Sequence, residues 1–347
     1  MKKFLLPENA KYYKANLHSH TVLSDGMKTP EENKAYYKSL GYSIVAFTDH
    51  DIYCQQQDLT DVDFVALNGF ELEYFEDDAW DNGKCAHFCY IAKDPDNAAF
   101  GYNEKKCFDW EASKIPHEPV IGGLYTNNCK ARRYDTEFIN ADIAKGRELG
   151  FFISYNHPTW SMERYPDYIR YKGLDTMEIF NHDAAYPRTI GVADDSRVYD
   201  DFLYSGQRIK CIATDDNHNF VPDELIGSDS GGGFIQIAPD KLDYASVIKA
   251  LEEGNYYACA VSDPKKCDAP EIKNLWIEDG SLHVETSNAA RIMVIKDKRP
   301  VLFKYSERDE YITEAVLQLG EYEWFRVVVT DEYGNKAFSS AYFADEI

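Results

Sequence analysis

Two histidines and an aspartate near the start of the chain have a spacing that suits metal binding. His18 and His20 are separated by one residue, and Asp25 follows before Gly26. If residues 15–20 are extended, both imidazoles point to the same face, because side chains alternate along a strand. A short turn ending at Gly26 can bring the Asp25 carboxylate back toward them. The group can therefore hold a divalent cation, and the alternative is a surface strand that merely carries two histidines.

Further histidines and carboxylates accompany successive apolar runs that the sequence predicts to be strands. All but one lie at or just past the end of their predicted strand, and the exception, His87, lies within one. Strand ends of barrel-like α/β folds converge on one rim, so we expect these side chains to meet there. Asp215 stays an alternative to Asp216, which is preferred because it gives the D-x-H spacing. The further candidates are His50 after 42–47, Glu71 after 64–67, His87 within 85–92, His157 after 151–155, and Asp216 and His218 after 208–213.

The number and type of these side chains predict more than one metal ion. A single catalytic zinc needs three protein ligands, and the sequence offers nine candidates. Nine ligands suffice for two or three divalent ions that share a carboxylate, and imidazole with carboxylate suits Zn, Mn or Fe. Neighbouring ions can share a hydroxide and stabilise the oxygens of a displacement at phosphorus or carbon. No G-x-S-x-G or P-loop motif supplies another mechanism.

Two other features near these residues have open interpretations. His182 ends the predicted strand 174–180, where it could contact substrate or act as a general acid on the leaving group. The alternative for His182 is a capping role on a loop. Cys85 and Cys89 flank His87, so a Cys/His zinc site is a further alternative, although no second cysteine pair lies nearby.

The elements that would position these residues alternate between strand and helix up to about residue 262. Helices are predicted to begin at Thr29-Pro30 and to cover 135–149, 194–204 and 240–253. This alternation predicts a mostly parallel sheet with helices outside it. Short alternating runs over 271–343 predict a small all-β sandwich instead. We therefore expect one domain at 1–265 and a second at 266–347, with a long loop or lid at 94–133.

Composition limits the partners that the protein can have. A net charge of -23 over 347 residues argues against nucleic-acid polymers and anionic membrane surfaces, which attract basic faces. No apolar run is long enough to span a membrane, and the N-terminus is too short in apolar residues for a signal peptide. The eight cysteines form no C-x-x-C pair. We expect reduced thiols and a cytoplasmic location.

Taken together, these motifs resemble those of the PHP (polymerase and histidinol phosphatase) superfamily over about residues 14–262. The resemblance implies a distorted seven-stranded (βα) barrel with a trinuclear metal centre on its rim. The C-terminal β region resembles that of two-domain bacterial PHP hydrolases. The ligand groups that the resemblance implies are His18, His20 and Asp216 with Glu71 as a bridge; Asp25, His50 and His218; and His87 and His157 with Glu71.

The resemblance implies a metal-dependent phosphoesterase in which a metal-bridging hydroxide attacks a small phosphorylated metabolite or nucleotide. One alternative is hydrolysis of an amide, carbamate or ester at the same site. Another is a non-catalytic metal-containing binding protein. Four arginines could contact a phosphate or could simply be surface residues, namely Arg132, Arg133, Arg164 and Arg188.

Overall fold

The computed structural model describes residues 2–53, 55–76, 83–97, 134–185, 193–221, 228–298, 302–308 and 310–347. These residues form a mixed α/β fold with a large sheet and few helices. The helices are α1 Pro30–Ser39, α2 Thr136–Glu148, α3 Tyr165–Tyr168, α4 Ser196–Tyr204 and α5 Tyr244–Glu253, with 3₁₀ turns at Gln57–Leu59 and Asp183–Ala185. The strands are β1 Lys2–Phe4, β2 Tyr13–Asn16, β3 Tyr42–Phe47, β4 Val65–Phe75, β5 Cys85–Ala92, β6 Phe151–Tyr155, β7 Thr176–Asn181, β8 Lys210–Thr214, β9 Gly233–Ile237, β10 Tyr256–Ala260, β11 Ile272–Glu278, β12 Ser281–Ala289, β13 Arg291–Lys296, β14 Leu302–Tyr305, β15 Ile312–Gln318, β16 Trp324–Thr330, β17 Lys336–Phe338 and β18 Tyr342–Phe343.

The large sheet is parallel in two places and antiparallel between them. Strands β2, β3 and β4 run parallel, as do β6, β7 and β8. Strand β5 runs antiparallel to both β4 and β6, so the prediction of a mostly parallel sheet is wrong here. The chain between Phe75 and Cys85 is too short for the crossover that a parallel pair would need. It can only return as the neighbouring antiparallel strand.

Local sequence signals explain where the helices begin and end. Thr29 accepts a hydrogen bond from Glu32 N, and the Glu32 side chain accepts one from Thr29 N, which is a capping box for α1. Asp135 caps α2 in the predicted place. Helix α5 begins later than predicted, because Asp243 is its N-cap and accepts a hydrogen bond from Ser246 N. It ends at Gly254, whose φ of 81° favours glycine.

The C-terminal strands belong to two different sheets, and the small all-β sandwich expected for them stays a prediction. Strands β11, β12 and β15 form one sheet together with the N-terminal strand β1. Strands β13, β14, β16 and β17 extend the large sheet, because β17 pairs antiparallel with β10. Arg326 on β16 is buried and makes two hydrogen bonds to Asp200 on α4, at 2.7 and 3.0 Å. The division of the chain at residue 265 stays a prediction.

Two hydrophobic clusters hold these layers together. The first lies between the large sheet and its helices, and includes Ile143 of α2 and Leu251 of α5. The second lies under the C-terminal sheets and extends to Tyr37 of α1. Of the predicted loop at 94–133, residues 98–133 lie outside the described part of the chain. None of the described helices is long and apolar enough to cross a membrane.

Candidate metal centre

Most of the candidate ligands follow directly after parallel strands. His18 and His20 come after β2, His157 after β6, and Asp216 after β8. Backbone hydrogen bonds join the first and last of these segments, since Asp216 N donates to His18 O at 3.1 Å. His157 and Asp216 have φ values of 25° and 54°, a left-handed conformation that costs energy for residues other than glycine. The fold therefore holds both side chains at a specific angle.

Two candidate ligands, Glu71 and His87, lie inside strands. This position was expected for His87 but not for Glu71. Glu71 is in the middle of β4, because pairing with β5 extends that strand to Phe75, so its predicted position at a strand end is wrong. His87 lies within β5, as predicted. His50 comes beside Glu71 through a parallel bridge after β3. The hairpin thus brings a strand interior to the same place as the strand ends.

Glu71 is the centre of the cluster. Its side chain is fully buried, and Oε1 accepts a hydrogen bond from Asn156 Nδ2 at 2.7 Å. One carboxylate therefore reaches most of the candidate histidines, which is the arrangement expected of a ligand shared between ions. The nitrogen–oxygen distances from its two oxygens are 3.2 Å to His18, 3.5 Å to His20, 3.0 Å to His50, 3.3 Å to His87 and 3.4 Å to His157.

Asp216 and Asp25 lie on opposite sides of His20. Asp216 Oδ1 is 3.1 Å from His18 Nε2 and 3.0 Å from His20 Nε2. Asp25 is 3.7 Å from the other nitrogen of His20 and 3.4 Å from His218 Nε2. Two groups of ligand atoms, each within 4.8 Å, have four members: His18, His20, Glu71 and Asp216; and His20, Asp25, His50 and His218.

The remaining two histidines do not form a group of their own. His87 groups with His50 and Glu71, whereas His157 groups with His18 and Glu178. The structure thus brings all nine candidates into one cluster. The third ion position that the resemblance implies stays a prediction.

The donor set fits divalent ions. His18 Nε2 and His20 Nε2 face each other at 3.1 Å, which requires a proton or a cation between two nitrogens that otherwise offer lone pairs. Within the described residues, His87 Nε2 is buried without a hydrogen-bond partner. Buried polar atoms without partners are costly, and ions bound there would satisfy them.

The electrostatics of the cluster depend on a balance of burial and neighbouring charge. Burial alone would raise the pKa of Glu71, but the positive charges of His18, His87 and His50 hold it well below its usual range. Burial lowers the pKa of His20 to about 3, with contributions from His218 and His50. Glu71 therefore stays ionised and His20 stays neutral, which are the forms that bind metals.

Several buried polar residues hold the ligand loops in place. Asp49 accepts hydrogen bonds from Thr21 N at 2.8 Å and Ser24 N at 3.1 Å, which fixes the turn that carries Asp25. Asp229 accepts one from His218 N at 2.8 Å. These contacts were not predicted from the sequence.

The alternative ligand Asp215 points away from the cluster. Its oxygens accept hydrogen bonds from Gly231 N at 2.8 Å and Gly233 N at 2.9 Å, and from the hydroxyls of Tyr37 and Tyr42 at 3.1 Å each. It ties the end of β8 to the start of β9. Asp216 is thus the one of this pair that the structure places among the imidazoles.

Two buried glutamates beside the cluster were missed by sequence reasoning. Glu73 is 2.5 Å from His50 Nδ1, and Glu178 is 2.8 Å from His18 Nδ1. Both lie within strands between apolar neighbours, as in Met177-Glu178-Ile179. A single carboxylate inside an apolar run that forms a buried strand is the signal that could have identified them, because unpaired charges are rarely buried.

His182 takes a different position from the nine candidates. Its ring packs against Gly232, so closely that a Cβ there would lie 2.2 Å from it. The ring also lines a cavity of about 400 Å³ together with Asp194 and Lys336. Its role as a general acid stays a prediction. Of the four arginines considered as possible phosphate contacts, Arg164 is exposed beside α3, and the other three lie outside the described residues.

The fold and site define a mixed α/β protein with a buried cluster of histidines and carboxylates. No protein-family model matches the sequence, and no curated protein matches it. A two-domain protein from Bacteroides vulgatus that contains a predicted PHP-like metal-dependent phosphoesterase is similar in structure. It is 13% identical, with a TM-score of 0.45 over 97% of this chain and 98% of that chain.

Two shorter proteins are similar to part of the chain. A proposed metal-dependent phosphoesterase from Bifidobacterium adolescentis is 16% identical, with a TM-score of 0.39 over 62% of this chain and 92% of that chain. An amidohydrolase from Chromobacterium violaceum, with bound sulfate and no metal, is 15% identical, with a TM-score of 0.38 over 61% of this chain and 89% of that chain.

Proposed function

We propose that this protein is a metal-dependent phosphoesterase of the PHP type that acts on a small phosphorylated metabolite or nucleotide. The observation that carries the proposal is the position of Glu71, whose buried carboxylate lies within 3.5 Å of five imidazoles. A single ion would need only three or four of the available ligands. A carboxylate in this position suits two or three ions held side by side. The proposed ions are Zn, Mn or Fe.

The proposed ligands are the nine clustered residues, with Glu71 shared between ions. When bound, neighbouring divalent ions lower the pKa of a shared water and stabilise negative charge on substrate oxygens. The chain itself keeps the site dry, since His18, His20 and Glu71 are fully buried. It also keeps Glu71 negative, which favours cations over neutral ligands. In this proposal, residues 1–265 form a distorted barrel that carries the site, and residues 266–347 form the β domain.

A lysine contacts the residue that follows His218, and its charge favours an anionic substrate. Lys28 Nζ donates a hydrogen bond to Asn219 Oδ1 at 2.8 Å, and Asn219 directly follows His218. The Lys28 side chain is partly buried. An ammonium group at this edge can contact a phosphate oxygen of a bound substrate. Sequence reasoning considered only arginines for this role.

The test is a substrate panel with the metal-loaded protein. p-Nitrophenyl phosphate, bis-p-nitrophenyl phosphate and an aryl carbamate are each assayed with Zn, Mn and Fe. We expect hydrolysis of at least one phosphoester, dependent on metal and abolished by a chelator. Lys28→Met should raise KM for that phosphoester more than it lowers kcat, because it removes a charge that binds the substrate.

A matched pair of variants controls for folding. Glu71→Gln should abolish hydrolysis, whereas Glu163→Gln should retain it. Glu163 is also a buried glutamate, but it accepts hydrogen bonds from Tyr134 and Tyr171 hydroxyls rather than contacting the imidazoles. Turnover of the carbamate alone would favour the amide, carbamate or ester hydrolase. No turnover of any ester by the metal-loaded protein would favour a binding protein, and either result contradicts the proposal.

A further inference from the structure

Glu178 on β7 joins the ends of four different strands through one carboxylate. It is fully buried. Oε1 lies 2.8 Å from His18 Nδ1 and accepts a hydrogen bond from Thr214 Oγ1 at 2.6 Å. Oε2 accepts hydrogen bonds from His157 N at 2.8 Å and Asn181 Nδ2 at 2.9 Å. These partners come from the segment after β2, from the end of β8, from the segment after β6 and from β7 itself.

These four contacts use the whole acceptor capacity of the carboxylate. An ionised carboxylate has about four lone-pair sites, two on each oxygen. Each Glu178 oxygen has two partners, so no lone pair is left for a metal ion. Glu178 lies close to His18 and His157, within a group of the right size for an ion. The hydrogen bonds nevertheless make it a residue that orients ligands rather than a ligand.

The contact with His18 fixes which ring nitrogen can bind a metal. A carboxylate needs a donor, so His18 Nδ1 carries a hydrogen that faces Glu178, and in the neutral form that binds a metal this is the only hydrogen on the ring nitrogens. Nε2 then offers its lone pair on the opposite side of the ring. That nitrogen lies 3.2 Å from Glu71 and 3.1 Å from Asp216. The ring is therefore held with its free lone pair toward the other candidate ligands.

We propose that Glu178 is a positioning residue that sets the orientation and tautomer of His18 and holds the backbone of His157. The inference rests on the proposed metal centre but not on the reaction catalysed there. A purely structural Glu178 would stabilise the strand ends and leave the metal affinity unchanged in any variant that still folds. A positioning Glu178 links the metal affinity to the Nδ1–H of one histidine.

The test uses Zn-loaded full-length protein and two readouts that do not depend on hydrolysis. Zn affinity is measured by competition with a chromophoric chelator. The imidazole N–H protons are observed by NMR in protein labelled with ¹⁵N-histidine. Glu178→Gln should weaken Zn binding by about 10- to 100-fold, the usual effect of removing a residue that orients a metal ligand. It should also remove one strongly downfield Nδ1–H resonance.

Two further variants are a control at another buried glutamate and a conservative change at Glu178. Glu163→Gln, the buried glutamate without a contact to the cluster, should leave both readouts unchanged. Glu178→Asp keeps the charge but shortens the side chain, so it should restore part of the affinity and should fold even if Glu178→Gln does not. Zn affinity within threefold of the wild type in Glu178→Gln, or in Glu178→Asp if Glu178→Gln does not fold, would overturn the inference. So would a weakened affinity with every Nδ1–H resonance retained. If both readouts respond as expected but no phosphoester is hydrolysed, the proposed reaction fails and this inference stands.

Discussion

Replacing Glu71 with glutamine is the most informative change to the candidate metal centre. The substitution keeps the size of the side chain and removes one negative charge from the middle of five imidazoles, each within 3.5 Å. At an effective dielectric constant near 20, two unit charges about 4 Å apart attract by about 4 kcal/mol. Because about 1.4 kcal/mol corresponds to a factor of ten, Glu71→Gln should weaken metal binding by about 10³-fold. Divalent ions at shorter distances make this a lower bound.

The assay is metal content together with affinity, measured before activity. Dialysed wild-type and variant proteins are compared by elemental analysis and by titration with Zn in the presence of a competing chelator. Glu163→Gln is the matched control, since it makes the same chemical change at another buried site. A Glu71→Gln protein that binds the same number of ions within threefold of the wild-type affinity would refute the assignment of Glu71 as the shared ligand.

Four other substitutions test separate parts of the structure. Asp216→Asn should lower Zn content, whereas Asp215→Asn should keep Zn content and lose about 1–3 kcal/mol of stability, because its amide cannot accept all the hydrogen bonds of the carboxylate. Elemental analysis measures the Zn content and urea unfolding measures the stability. Loss of Zn in Asp215→Asn but not in Asp216→Asn would reverse the two assignments. Burial raises the pKa of Glu163 from its ordinary 4.5 to about 7, so the folded state holds this proton more tightly and the metal-free protein should lose up to about 3 kcal/mol of stability as the pH rises from about 4.5 to 7. Urea unfolding at several pH values should show a smaller loss of stability in Glu163→Gln than in the wild type. The same pH dependence in both proteins would exclude this contribution from Glu163. Thr29→Ala removes the capping box of α1 and should cost about 0.5–2 kcal/mol in the same assay, with no change if the cap is already broken in solution.

The parts of the site that follow parallel strands could be predicted from the sequence. A histidine or aspartate directly after a buried apolar run is predicted to lie near others of its kind, because the carboxyl ends of neighbouring parallel strands lie together. That reasoning brought His50 and His157 to the same cluster as His18. The D-x-H spacing favoured Asp216 over Asp215. Two adjacent residues on one chain must point in different directions, and the left-handed φ of 54° at Asp216 turns its side chain toward the imidazoles.

The parts that could not be predicted depend on pairing between distant segments. Strand β5 is antiparallel because the connection after β4 is short, but the end of β4 at Phe75 is visible only in the structure. An apolar run in the sequence is compatible with either strand direction. Glu71 was expected at a strand end for this reason, since nothing in residues 64–75 marks where pairing stops. Glu178 shows this dependence on distant segments more clearly. Its sequence neighbours say only that a carboxylate is buried. Its function depends on donors from His18, His157 and Thr214, which are far apart in the chain and meet only when β2, β6, β7 and β8 are in register. A shift of one residue in that register would turn Glu178 to the opposite face and leave His18 without the contact that orients it. The same sheet register that builds the fold therefore also selects the nitrogen that His18 offers to a metal.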